Sequence, residues 1–185
     1  MNPRAASIDT PLHAFIQKAH VDHMHPDAVI AIAAAARSKE LTAEVFGPEI
    51  GWLPWQRPGF DLGLKLGEMA TQNPQLKGIV LAGHGLFTWG DSAKACYENT
   101  LRVIRIADAW LKDRTAKAAI FGGPAMSALD PTKRRAIAAE LMPAIRGRIA
   151  AGKPKVGHFN DSPAVLEFIC AKDLRKLAAL GTSCP

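Results

Sequence analysis

The segment GIVLAGHGLFTWG, running from Gly78 to Gly90, decides how the rest of the chain is arranged. Its first five residues, Gly78 to Ala82, form a short continuous apolar run, which is how a strand buried on both faces reads. Gly83-His84-Gly85 breaks the run, and Leu86 to Trp89 returns as a second strand. Gly90-Asp91 then supplies a helix N-cap. From Ser92 to about Ala118 the apolar positions Cys96, Val103, Ile104, Ala107, Trp110 and Leu111 recur at spacings of three, four and seven, the pattern of a long amphipathic helix.

Working upstream, Phe60 to Asn73 carries Leu62, Leu66 and Met69 at helical spacing and is stopped by Asn73-Pro74. Ile50 to Gly59 holds Trp52, Pro54, Trp55 and Pro58 and reads as an irregular strand and loop. Arg37 to Phe46 is a polar helix closed by Gly47 and Pro48. Before it, Pro26 opens a helix whose AVIAIAAAA run is apolar on nearly every side, as expected of a helix buried against a sheet. Ala19 to His23 is extended and leads into the triplet His23-Met24-His25, and Leu12 to Ile16 is a short apolar stretch. Downstream, Phe121 to Pro124 is a linker. Helices are expected over about Pro131 to Ala151 and Pro163 to Leu180, with a candidate strand at Lys155 to Phe159. Strands alternating with helices indicate a layered α/β or α+β domain.

The chain has 185 residues, 48% of them hydrophobic, which suffices for one sizeable core. No apolar run approaches the roughly 20 residues needed to span a bilayer, and the opening MNPRAASIDT lacks the apolar stretch of a secretory signal. Cys96, Cys170 and Cys184 are scattered and odd in number, so neither a disulfide framework nor a CxxC metal knuckle is suggested. The expectation is a cytoplasmic protein that does not engage a membrane. The net charge of +6 arises between Pro131 and Lys155, where Lys133, Arg134, Arg135, Arg146, Arg148, Lys153 and Lys155 face a single acid, Glu140. Outside that segment acids and bases balance. With no aromatic residue interleaved for base stacking, the segment reads as a solvated helix face rather than a nucleic-acid surface, with an anionic partner as the minority reading.

Four of the six histidines lie between His13 and His25. Residues two apart in a strand project to the same face, roughly 7 Å apart, so His23 and His25 can converge on one ion while Met24 points away. A catalytic zinc site wants three protein ligands and an open position. His84 is the third candidate, because it follows a buried strand in a turn opened by two glycines, a place where sites tend to be built. The alternative is a set of surface or hydrogen-bonded histidines. It would prevail for the His-x-His pair alone, but the glycine-flanked third histidine tips the balance toward metal. Asp22 reads as a residue that orients an imidazole. Asp9 reads as a general acid/base or a fourth ligand, and equally as a cap of the helix beginning at Thr10. His13 and His20 read as structural, and His158 is assigned no role.

The segments ASIDTPLHAF, HVDHMHPDAVIAIA, GWLPWQRPGFDLG and GIVLAGHGLFTWG together resemble the class II aldolase and adducin family. The likeness is nearest to the aldolase part of bifunctional rhamnulose-1-phosphate aldolase/alcohol dehydrogenase proteins. It covers most of the chain from Ala5 to Leu111. It implies a three-layer α/β/α fold with a central mixed sheet, an aldolase/adducin core over 1–120 that lacks the family's N-terminal segment, and a helical extension over 121–185. The end LAALGTSCP is similar to the interior of the bifunctional protein just before its dehydrogenase region. The resemblance further implies Zn2+ held by His23, His25 and His84, and Asp9 at the position of the catalytic glutamate, one methylene shorter. It places Ser7 where the family contacts substrate phosphate. A homo-oligomer is implied as well. The expected activity is cleavage of a ketose 1-phosphate such as rhamnulose 1-phosphate; a non-catalytic adducin-like assembly module and a sugar-phosphate 4-epimerase are the alternatives. No GxGxxG fingerprint occurs, so no nicotinamide cofactor is expected on this chain.

Overall fold

The computed structural model describes residues 4–116 and 118–180, and by their contacts these form two compact units that divide between residues 116 and 117. Cys184 and the end of the LAALGTSCP segment lie outside the described residues. Among the described residues, no helix is long and apolar enough to cross a membrane.

The first unit is built on a mixed sheet of strands β1 (His20–Met24), β2 (Ile50–Leu53), β3 (Gly78–Leu81) and β4 (Gly85–Gly90). Their order is β1-β4-β3-β2. β4 pairs antiparallel with both β1 and β3, whereas β3 pairs parallel with β2. All four residues of β3 are buried, as its unbroken apolar run requires, and the side-chain period of two divides the sheet's contacts between two cores. On one face Ile79, Leu81, Phe87 and Trp89 pack with Leu12 and Ile16 and with Leu62 and Leu66. These last four come from α1 (Thr10–Ala14), the turn after it, and α4 (Phe60–Gln72). On the other face Ile50, Val80 and Leu86 pack with Val29, Ile32, Phe46, Val103 and Ala107, from α2 (Asp27–Ala33), α3 (Ser38–Phe46) and α5 (Ala93–Thr115). The first unit is therefore a three-layer α/β/α arrangement around a mixed sheet.

Two expectations need correction here. The cap of α5 is Ser92 rather than Asp91: its hydroxyl accepts from the Ala95 amide. The alanine run also leaves the helix early, with α2 ending at Ala33. The Ala33 carbonyl accepts instead from the Gly83 amide at 2.8 Å, which ties the end of α2 to the turn between β3 and β4.

The second unit contains α6 (Pro131–Ile149), α7 (Pro163–Ile169) and α8 (Leu174–Ala178). The expected single helix from Pro163 to Leu180 is broken between α7 and α8. There the Lys172 and Asp173 amides donate to the carbonyls of Gly123 and Phe121, and Pro124 bridges Ala171. Residues 155–159 form no strand, and Val156 is fully exposed. A strand without a ladder partner gains nothing to offset the cost of ordering it.

Candidate metal centre

The register between β1 and β4 places His23 opposite Phe87 and Met24 opposite Leu86. His23 lies flat on the Phe87 ring, centroids 4.1 Å apart and planes 7° from parallel. Its Nδ1 stands 3.1 Å from the Leu86 carbonyl oxygen. A carbonyl only accepts, so Nδ1 carries the proton and Nε2 keeps the lone pair. That Nε2 is buried and has no hydrogen-bond partner. Leaving such an atom unsatisfied costs about 1–3 kcal/mol, and a metal ion is a chemically suitable partner for it.

His25 follows the end of β1, and the room for its ring is made by Gly85. A Cβ on Gly85 would lie 2.5 Å from His25 Cδ2 and 2.8 Å from the Met24 carbonyl oxygen. His84 occupies the turn of the β3–β4 hairpin, where Gly83 takes φ +64°, the left-handed region in which a side chain is strained. Backbone bonds fix this turn on three sides. Ala82 donates to Leu53, Gly83 to Ala33 and His84 to Leu81, at 2.9, 2.8 and 3.1 Å.

The three imidazoles meet as a result. Ring centroids are 4.7 Å apart for His23 and His25, 5.2 Å for His23 and His84, and 5.0 Å for His25 and His84. One nitrogen from each lies within 4.8 Å of the other two, so small torsional adjustments bring all three onto one ion at imidazole–zinc bond lengths of about 2.0–2.1 Å. Burial pushes the pKa of His23 down to about 4, with further lowering from His25 and His84. Burial, then His25, lowers that of His84. Both rings are thus neutral at pH 7 and offer lone pairs, the state a metal requires. The donor set fits a divalent ion of the zinc type, with His25 at the exposed side and His23 and His84 more enclosed.

Asp9 lies close enough to act on these rings, since its charge opposes the lowering at both His23 and His84. It is the N-cap residue of α1, and its side chain makes no cap hydrogen bond there. Ser7 stands in the same turn, its Oγ accepting from the Asp9 amide at 3.2 Å. Asp22 is a correction: it does not touch an imidazole but faces α5, where its Oδ2 accepts from the Thr100 hydroxyl. The Leu86 carbonyl orients His23 instead, and the Phe87 platform was missed because only the strand register reveals it. His13 meets the edge of the same Phe87 ring, centroids 5.5 Å apart, and His158 is exposed in the second unit.

Comparison with known proteins gives two family matches: residues 1–111 match the class II aldolase and adducin N-terminal domain, and residues 136–185 match the second domain of class II aldolases. An uncharacterized oxidoreductase of Bacillus subtilis, YuxG, is 37% identical over 179 residues, which is 97% of this chain and 26% of that protein. The chain therefore spans about a quarter of the length of this curated relative. Among solved structures, the N-terminal class II aldolase domain of a conserved protein from Thermoplasma acidophilum superposes with TM-score 0.54 at 30% identity. That match covers 60% of this chain and 50% of the other. A sugar-phosphate aldolase from Thermotoga maritima shares the fold, with TM-score 0.50 at 18% identity, covering 60% and 55%.

Proposed function

Since the chain belongs to the class II aldolase and adducin family, we propose that it is a zinc-dependent aldolase domain that cleaves a ketose 1-phosphate, such as rhamnulose 1-phosphate, reversibly to dihydroxyacetone phosphate and an aldehyde. The observation that carries this reading is the group of three histidines around the buried, unpartnered Nε2 of His23. His23, His25 and His84 would hold the ion. A zinc ion bound there supplies Lewis acidity toward the substrate's carbonyl and neighbouring hydroxyl oxygens.

The remaining work falls to the chain's own residues. His23 is held by the Leu86 carbonyl and the Phe87 ring with its Nε2 lone pair free for the ion, and the backbone of His84 is held by its fixed turn, so little rearrangement is left for binding. Cleavage between C3 and C4 removes a proton from the C4 hydroxyl and adds one at C3. Asp9, whose charge reaches both rings and whose side chain makes no cap bond, is the carboxylate assigned to that transfer. Ser7, in the turn that Asp9 shares, is assigned to the substrate phosphate. An oligomer that completes the site is part of the same reading.

The test is aldol cleavage, followed as dihydroxyacetone phosphate released from a panel of ketose 1-phosphates, with zinc and after chelation. Activity should vanish on chelation and return with zinc. His84→Ala should abolish it, and Asp9→Asn should lower kcat by about 10²–10⁴-fold. Cleavage that survives His84→Ala would sink the proposal. A zinc-loaded protein that cleaves no ketose 1-phosphate would point instead to a non-catalytic module or an epimerase.

A further inference from the structure

Asp22 and Thr88 are direct cross-strand partners in the β1–β4 ladder, and both face α5 rather than the histidines. Thr88 is fully buried and Thr100, on α5, nearly so. The Thr100 Oγ1 lies 2.6 Å from Thr88 Oγ1 and 2.8 Å from Asp22 Oδ2. A carboxylate only accepts; the Thr100 hydroxyl also lies 3.0 Å from the Cys96 carbonyl oxygen, and the shorter contact to the charged Asp22 is the stronger claim on its one proton, with the Thr88 hydroxyl donating in turn to Thr100. A hydrogen bond to a charged group is roughly twice as strong as a neutral one. Cys96 closes the cluster from the same helix, its Sγ 3.8 Å from the Thr88 carbonyl oxygen.

The placement of these bonds matters because, among the described residues, β1 is an edge strand, hydrogen-bonded in the sheet only to β4. Its side chains alternate between faces, so a fastening at Asp22 on the α5 face sets the register and tilt of His23 on the opposite face. It also sets the exit direction of the backbone to His25. His84 is held separately, by the hairpin turn. The metal group is therefore assembled from two pieces, and the Asp22–Thr100 bond is a side-chain link that fastens the edge piece to the helix layer.

Resting on the metal reading above, we propose that Thr100 is a positioning residue for the metal site, acting through Asp22 to hold the strand end that carries His23 and His25. The measurement is the zinc dissociation constant of the full chain, by competition with a chromophoric chelator, for the wild type, Thr100→Val and Thr100→Ser. It is paired with amide exchange of residues 21–24 in the zinc-free proteins. Thr100→Val, which keeps the shape and removes the hydroxyl, should weaken zinc binding 10- to 100-fold and speed exchange along β1. Thr100→Ser should restore affinity to within about threefold of the wild type, given that it keeps the same donor. A role confined to stability would lower the melting temperature of Thr100→Val and leave zinc affinity unchanged, and that result would overturn the inference while the metal reading stood. Failure of the wild type to bind zinc would overturn both. Should Thr100→Val not fold, Asp22→Asn, which removes the charge from the same bond, should weaken zinc binding several-fold, and unchanged affinity there would equally overturn the inference.

Discussion

Gly85 sits where the ring of His25 crosses the end of the β1–β4 ladder. Any Cβ there meets both that ring and the Met24 backbone. Relieving the overlap requires the His25 ring, the Met24 backbone or both to shift, so Gly85→Ala is expected to weaken zinc affinity by about tenfold or more, as loss of a ligand's support does. Zinc affinity beside a circular dichroism spectrum checks this. His23 carries a second prediction. In the metal-free protein its pKa is about 4 against 6.5 when exposed, and that of His84 is lowered too. Between these values the unfolded chain binds a proton that the folded chain refuses, so lowering the pH favours unfolding. For His23 this stability is complete above pH 6.5 and is lost as the pH falls toward 4, and His84 acts in the same direction. Thermal melts of the zinc-free protein should show the midpoint dropping across that window, and His23→Gln should reduce the slope. A flat profile would contradict the burial of His23. The pairing of His23 with His25 was legible from their spacing, but the Leu86 carbonyl and the Phe87 ring that orient His23 become visible only with the strand register.

At the scale of elements, segments whose pattern is set by burial came through clearly: β3 from its unbroken apolar run, α5 from its periodicity, and the hairpin turn from its glycines. Segments set by competition for backbone groups did not. The alanines after Ala33 favour helix on propensity, yet the Ala33 carbonyl is engaged by Gly83. The amides of Lys172 and Asp173 are likewise drawn to the 121–124 segment, which splits α7 from α8. The cap of α5 shows the same ambiguity at one residue, since Asp91 and Ser92 both suit the role and only the bond from Ala95 to Ser92 decides. Replacing the cap is therefore a sharp test: Ser92→Ala should cost about 1 kcal/mol in denaturant unfolding and Ser92→Asp almost nothing, whereas Asp91→Ala should be close to neutral.

For the molecule as a whole, the three histidines, Asp9 and Ser7 all fall within the first unit, on a sheet that brings residues about 60 positions apart in sequence to one spot. The basic segment between Pro131 and Lys155 belongs to the second unit and contributes no ligand to the group of three. The central claim is that His23, His25 and His84 form one site for one ion, and zinc titration of the purified chain by calorimetry tests it most directly. One equivalent should bind to the wild type and none with comparable affinity to His84→Ala. Undiminished binding of one equivalent by His84→Ala, or no stoichiometric binding by the wild type, would contradict it.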